Sequence, residues 1–397
     1  MSERLFVAGG PEARLVVAWG AEGLTEAHRD VARQRSQVGR IQLAKVGAID
    51  RRLGAAFVEL GGGPPGFLPL RGRLAAVAEG QRLIVQLRRD ASGAKGPRLS
   101  TNVGLPGHWL EFRPAGEAGE SAAAGSPAQA VVDGLALPGE AWLIRATAAA
   151  ATPEQLAAEM ARLRARWVAI LARAEAARPP ALLQAADDPV LAMLRDRPTA
   201  NWSEVVFDHR ASAERLQQQC ADELPLVSER IGYRPRREWN PEFALMREQL
   251  LEALDEDVTL PAGGWLRIET GSAATLIDVN SGGGEAEAGN AEAAFLRINQ
   301  AAARAIARQL RLRNIGGIVV VDFIDLAARR ARRQVVEALR QALAGDPAPC
   351  TVGEMSALGL VELTRRRRGR SLRDSFTEAC GQCGGSGRVV RRDPLLA

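Results

Sequence analysis

The sequence predicts a multidomain α/β protein that carries a small β-barrel. Three observations predict it. The chain has 397 residues, more than one small core organises, so roughly two to four domains are expected. Between Val38 and Asp90, short strand-like runs alternate with glycine clusters, which suits a small barrel. From Gly264 onward the pattern becomes strand, helix, strand, helix, which implies an α/β layer.

In chain order, residues 1 to 20 alternate and predict a hairpin turning at Gly9-Gly10. The barrel strands are VGRIQLAKV, GAAFVEL, GFLPL and QRLIVQLRR, with Gly61-Gly62-Gly63-Pro64-Pro65 as one separator. Residues 114 to 129 are low in complexity and read as a surface loop. Residues 153 to 178 form a helix, with Thr152 as N-cap, Pro153 in the first turn and Gln155 completing a capping box. Its apolar stripe is Leu156, Met160, Leu163, Trp167, Ile170 and Leu171, and Pro179-Pro180 stops it. Residues 181 to 258 mix short patterns without a clear period. WLRIET and AATLIDVN then make a hairpin across Gly271-Ser272, and residues 281 to 290 a glycine-rich loop. Residues 291 to 313 form an amphipathic helix with Phe295, Ile298, Ala302 and Ile306 on one face. Arg297, Arg304, Arg308 and Arg311 share another. A buried strand follows, then a helix over roughly 327 to 344.

The apolar fraction of 46% is that of a folded globular protein. The net charge is +5 and the basic residues are nearly all arginine, which suits a polyanionic partner. The N-terminus lacks the pattern of a signal peptide, and no apolar stretch is long enough for a bilayer. These features point to a cytoplasmic protein with no membrane contact, where a close cysteine pair more often binds metal than forms a disulfide. No Walker loop, dinucleotide fingerprint, HExxH or Ser-His-Asp set is present, so no nucleotide cofactor is expected. His28, His108 and His209 are scattered.

Residues 316 to 325 read GGIVVVDFID, a buried strand that ends in two aspartates. In LIDVN, Asp278 and Asn280 point to one face. If that strand neighbours the next, Asp278, Asn280 and Asp322 converge, and two carboxylates beside a carboxamide suit Mg²⁺ completed by water or substrate phosphate. The competing reading makes Asp322 and Asp325 turn residues or helix caps, and Asp325 is best read as the cap of the following helix. Cys380 and Cys383 have zinc-knuckle spacing but supply only two of four ligands. Cys220 and Cys350 could complete the set, or a second chain could bring its own pair. A redox pair and two idle thiols are the alternatives. The run Arg365 to Arg368, with Arg370 and Arg373, reads either as a solvated face or as a nucleic-acid contact. Phe57 and Phe67, with Arg88, Arg89 and Lys95 near in sequence, read either as core or as a stacking platform for a single strand.

These pieces together resemble the ribonuclease E/G family. The likeness is carried by AAFVEL…GFLPL, LIDVNSG, IARQLRLRNIGGIVVVDFID and the late CxxCxGxG, in that order along the chain. The resemblance implies a Mg²⁺-dependent endoribonuclease that cuts single-stranded, A/U-rich RNA in RNA processing or decay, leaving 5′-phosphate and 3′-hydroxyl ends. Asp278 and Asp322 match its metal ligands and Asn280 the asparagine that orients the second carboxylate. Phe57, Phe67, Arg89 and Lys95 match RNA contacts on its OB-fold, and Arg145 the arginine that senses a 5′ monophosphate. Cys380 and Cys383 match a zinc link to which each of two protomers gives two thiolates, which implies a homodimer. By the same resemblance residues 1–36 and 181–250 form an RNase H-like subdomain. The OB-fold covers 37–112 and the 5′ sensor 113–180. A DNase I-like catalytic subdomain covers 251–375, then the zinc link and tail 376–397.

Several positions depart from the family pattern. The sequence stops soon after the zinc link, so the family's C-terminal small domain and assembly beyond a dimer are not expected. Residues 282 to 287 carry Glu285 and Glu287 where relatives tend to be basic. Ala146 follows Arg145, with Thr147 one place late. Gly381 replaces a proline, and Ala357-Leu358 stand where an arginine and an aromatic are common. Two alternatives to the nuclease follow: an RNA-binding protein of this fold with little or no nuclease activity, and a zinc-bridged structural partner of RNA machinery.

Overall fold

The computed structural model describes residues 2–70, 76–91, 95–114, 125–282, 291–366 and 369–385. The chain forms two compact units, one of residues 1–30, 206–209 and 234–397, the other of residues 31–205 and 210–233. The first unit opens with β1 (Glu3–Gly9), β2 (Ala13–Gly20) and β3 (Gly23–Val31). β1 and β2 pair antiparallel, and Gly9, opposite Arg14, takes φ +106° at the expected turn. Only glycine adopts that angle without strain.

The second unit begins with β4 (Ile41–Asp50), β5 (Ala55–Glu59), β6 (Gly66–Pro69), β7 (Arg82–Arg89) and β8 (Arg98–Ser100). They pair in the order β4-β5-β6-β8-β7, and β7 pairs again with β4. That second pairing closes a five-stranded barrel and leaves no free edge. Small and branched residues fill it, including Ala44, Ala56, Val58, Leu68, Val85 and Leu99. β9 (Leu105–Pro106), β10 (Leu110–Arg113), α1 (Pro127–Leu135), β11 (Ala141–Ile144) and α2 (Pro153–Ala176) follow. The loop expected over 114–129 is shorter at its far end, because Ser126 caps α1 through the amide of Gln129; residues 115–124 lie outside the described residues.

The capping box of α2 has both of its bonds, Thr152 with the Gln155 amide and Gln155 with the Thr152 amide. Its stripe packs on β10 and β11 except Leu171, which is 38% exposed. Leu171 follows Ile170 directly, and adjacent helical positions lie about 100° apart, so only one faces the core. The segment without a clear period holds β12 (Ala181–Gln184), α3 (Pro189–Arg195), β13 (Trp202–Phe207), α4 (Arg210–Glu223), α5 (Pro225–Ser228) and β14 (Ile231–Tyr233). Most are too short to display a period.

The first unit resumes with α6 (Asn240–Glu252), β15 (Asp257–Thr259), β16 (Trp265–Thr270), β17 (Ala274–Asn280) and α7 (Ala291–Leu312). β18 (Gly317–Asp322), α8 (Arg329–Leu343), β19 (Cys350–Met355), β20 (Leu360–Arg365) and α9 (Leu372–Phe376) complete it. Six strands form one sheet in the order β15-β16-β17-β18-β20-β19, in which β17 and β18 run parallel across the α7 crossover. Ile277, Val279, Val319 and Val321 face Ile298, Ala302, Ile306, Val335 and Leu339 in one core. The period of two therefore turns Asp278 and Asp322 to the face away from α7 and α8. Among the described residues no helix is long and apolar enough to cross a membrane.

Candidate active site

Asp278 and Asp322 are direct register partners across the parallel β17–β18 pair. Both side chains are exposed, at the carboxyl-terminal ends of their strands, where open α/β sheets place ligands. The run GGIVVVDFID thus has a physical role: the apolar residues of β18 bury one face, and that burial holds the terminal carboxylate on the other. Asn280 donates from Nδ2 to Asp278 Oδ2 at 2.8 Å, so the amide holds the Asp278 carboxylate. Loss of hydration raises the Asp322 carboxyl above the ordinary carboxylate value, and the charges of Asp278 and Asp325 add to the rise. Two carboxylates held side by side repel, and a divalent cation between them removes the repulsion.

Asp325 does not cap the next helix. α8 begins at Arg329 after Ala328, which makes no side-chain capping bond. Asp325 instead adds its charge to the field at Asp322. Among the described residues no three His, Cys, Asp or Glu side chains gather closely enough to hold a metal. The candidate site is therefore a carboxylate pair with an amide, which leaves most positions of an octahedral ion to water and phosphate.

One supporting residue was not legible as functional. Asn299 of α7 is fully buried. Its Nδ2 donates to Ile324 O at 2.8 Å and its Oδ1 accepts from Ile324 N at 3.1 Å. Both backbone groups of the turn after Asp322 are thereby satisfied. The only signal in the sequence is a carboxamide beside Ile298 on an otherwise apolar helical face. Asn299→Leu is expected to orphan both groups, at about 1–3 kcal/mol each, and a shift in the urea midpoint checks it.

On the barrel, Phe57 and Phe67 are opposite each other on β5 and β6, edge to face with centroids 6.3 Å apart. They are half-buried and stand outside the barrel core, so the reading of Phe57 as core does not hold. Phe67 pairs with Arg98 and Arg98 with Arg89, which extends the aromatic pair into a basic row. Arg98 is exposed and was missed, because no local pattern links it to Phe67 from 31 residues away. Lys95 is exposed just ahead of β8.

Arg145 directly follows β11, and its guanidinium is engaged by protein. Nη1 donates to Gly107 O at 2.6 Å, and Nη2 pairs with Asp196. Thr147 donates to His108 O in the same loop. The amides of His108, Trp109 and Leu110 all donate to the Glu159 carboxylate of α2 at 2.7–2.8 Å. Of the late basic run, Arg365 is 5% exposed and bonds Asp346 at 2.8 Å and Ile315 O at 2.8 Å, so it is structural. Arg367 and Arg368 lie outside the described residues, as do 283–290, which include Glu285 and Glu287.

Cys380 is exposed and Cys383 half-buried. Gly384 N donates to Cys380 O at 2.8 Å, closing one turn around the pair. Burial pushes the Cys220 thiol up to about 12 and the Cys350 thiol up to about 11, and Cys350 Sγ donates to Ala348 O at 3.3 Å.

The model of the ribonuclease E/G family matches residues 126–368. The chain is 35% identical over 389 residues to Ribonuclease E of Nostoc sp. (strain PCC 7120), covering 91% of this chain and 56% of that protein. It is 33% identical over 378 residues to Ribonuclease E of Synechocystis sp. (strain PCC 6803), covering 89% and 56%. It is 31% identical over 419 aligned positions to Ribonuclease G of Escherichia coli (strain K12), covering 98% and 85%. The chain thus spans about half the length of the two cyanobacterial relatives and most of the length of Ribonuclease G. From the match over its sheet, its helices and the strands that carry Asp278 and Asp322, the chain belongs to the ribonuclease E/G family.

Proposed function

We propose that the protein is a Mg²⁺-dependent endoribonuclease that cleaves single-stranded, A/U-rich RNA to 5′-phosphate and 3′-hydroxyl ends. The observation that carries this reading is the register pairing of Asp278 with Asp322 on the solvent face of a parallel strand pair. The donor set fits the ion, being hard oxygen only and held by rigid strands. Asp278 and Asp322 would hold Mg²⁺, whose chemistry here is to activate water and to neutralise charge on the scissile phosphate. Asn280 keeps the Asp278 carboxylate in place through its 2.8 Å bond. Asn299 keeps the backbone beyond Asp322 from shifting. Phe57 and Phe67 offer stacking faces for bases, and Arg89, Arg98 and Lys95 supply cations along the same side for the backbone. The test is incubation of a labelled unstructured RNA with Mg²⁺ or with chelator. Cleavage only with Mg²⁺ supports the reading, and intact RNA in both overturns it.

The finer subdivision goes with the same reading. The closed barrel lies within 37–112 and suits an OB-fold. The RNase H-like, 5′-sensor and DNase I-like assignments rest on the family likeness, as does a cytoplasmic role in RNA processing. The zinc-linked homodimer rests on Cys380 and Cys383 supplying half of a tetrahedral set.

Arg145 would meet a 5′ phosphate only in competition with Asp196. A charge-assisted pair of this kind holds the guanidinium against new acceptors. Asp196→Asn is therefore expected to raise the preference for 5′-phosphate over 5′-hydroxyl RNA. The ratio of kcat/KM for the two substrates reads it, and an unchanged ratio removes Arg145 from end recognition.

A further inference from the structure

The arginine face that the sequence of α7 displays is not used by the candidate active site. Two of its members are committed elsewhere or set apart. Arg308 donates to Glu22 O and Leu24 O, and Arg297 lies outside the groove described next. Arg304 faces Arg330 and Arg333 of α8 across a groove of about 500 Å³. All three are exposed, and none is engaged in an ion pair among the described residues. Gln300 and Gln334 line the same groove with further donors. Its one carboxylate, Glu337, already accepts from Gln341 Nε2 at 2.9 Å.

The charge arrangement of α8 opposes helix stability. The helix carries five arginines against one glutamate, with no acidic residue of its own in its first turn, where only Glu292 of α7 accepts from the Ala328 amide at 2.8 Å. Cations at a helix N-terminus meet the positive end of the macrodipole, an unfavourable placement. Arg332 donates to Leu326 O at 2.6 Å, and Arg340, in the last turn where the dipole favours a cation, pairs with Glu354 at 2.6 Å. Arg330 and Arg333 instead converge on Arg304. Three guanidiniums around one open groove repel each other until an anion with several charged oxygens enters.

We propose that this groove binds the phosphodiester backbone of RNA that extends beyond the cleaved segment. This rests on the reading of the chain as an RNA-cleaving enzyme. The helices cover the face of the sheet opposite to Asp278 and Asp322. A short oligomer lying across the carboxylates does not reach the groove, whereas a longer strand passing around the sheet does. The groove therefore adds affinity for long substrates and leaves the chemical step untouched. Planar guanidiniums with fixed donor geometry suit phosphate, and the flanking amides add donors without sequence preference.

The test compares wild type with Arg304→Gln/Arg330→Gln/Arg333→Gln, using one RNA that spans only the carboxylate pair and one several-fold longer. For long RNA, KM is expected to rise about tenfold with kcat unchanged, and short RNA to be cleaved as by wild type. The slope of log affinity against log salt for long RNA is expected to fall by about 2, since each phosphate contact on a single strand contributes about 0.7. The corresponding triple lysine variant keeps the charge and is expected to recover most of the slope, which guards against a folding defect. Arg297→Gln is the exposed control and is expected to change little. Equal KM and equal salt slope for long RNA overturn the proposal, as does a groove that takes an acidic peptide but not RNA. The salt slope is read from binding alone, so it stands even if the wild type cleaves nothing, in which case only the proposed function fails.

Discussion

Asp322→Asn is expected to abolish Mg²⁺-dependent cleavage of an unstructured RNA while leaving RNA binding nearly unchanged. The substitution keeps shape and removes one of two charges that face each other across β17 and β18. A cation held by two protein carboxylates loses half of its anionic ligands. Several kcal/mol of transition-state stabilisation follow the ion, and about 4 kcal/mol corresponds to about a thousandfold in rate. The proposed RNA contacts of the barrel are other residues, so binding is expected to persist. A variant that cleaves at the wild-type rate removes the site assignment. A second readout needs no activity. The folded Asp322 carboxyl is raised by lost hydration, then by Asp278 and Asp325. A group with a raised folded value contributes stability at pH below its unfolded value and loses it as pH rises through the folded value. In chelator, wild type is therefore expected to lose stability in that window relative to Asp322→Asn. A thermal melt series from acid to neutral pH is expected to show the two curves separating, and parallel curves mean that the Asp322 carboxyl is not raised in the folded protein.

Much of this arrangement was legible because it depends on period. Alternation in LIDVN and in IVVVD places Ile277, Val279, Val319 and Val321 in the core and the aspartates outside. The barrel was legible from glycine spacing, and α2 from its capping box. Features that depend on distant residues were not. Asn299 meets Ile324 from 25 residues away, Arg98 joins Phe67 across a strand pair, and Arg365 finds Asp346 in the interior. Each of these is a long-range partnership with no local signature. Asp325 shows the opposite error: a carboxylate near a helix start reads as a cap, but the helix begins further on and the charge acts at Asp322. The α7 arginines looked like one face, and only the packing of α7 on α8 separates Arg304 from Arg308.

Replacing Cys380 and Cys383 together by serine is expected to remove zinc and to convert a dimer into monomers. Zinc in a structural site takes four ligands in a tetrahedron, and one chain brings two thiols in this turn. The remaining two must come from Cys220 and Cys350 or from another copy. Cys220 is fully buried, and burial raises both the Cys220 and the Cys350 thiol. Cys350 also spends its proton on Ala348 O. A second copy is the proposed source, because Cys380 is exposed to an approaching chain. The stoichiometry then follows as about half a zinc per chain. Cys350→Ser is the contrasting variant, expected to keep both zinc and dimer. Metal analysis with sedimentation reads all three proteins together. One zinc per chain, or a double-serine variant that stays dimeric, would remove the shared-metal bridge and leave the association to surfaces of protein alone.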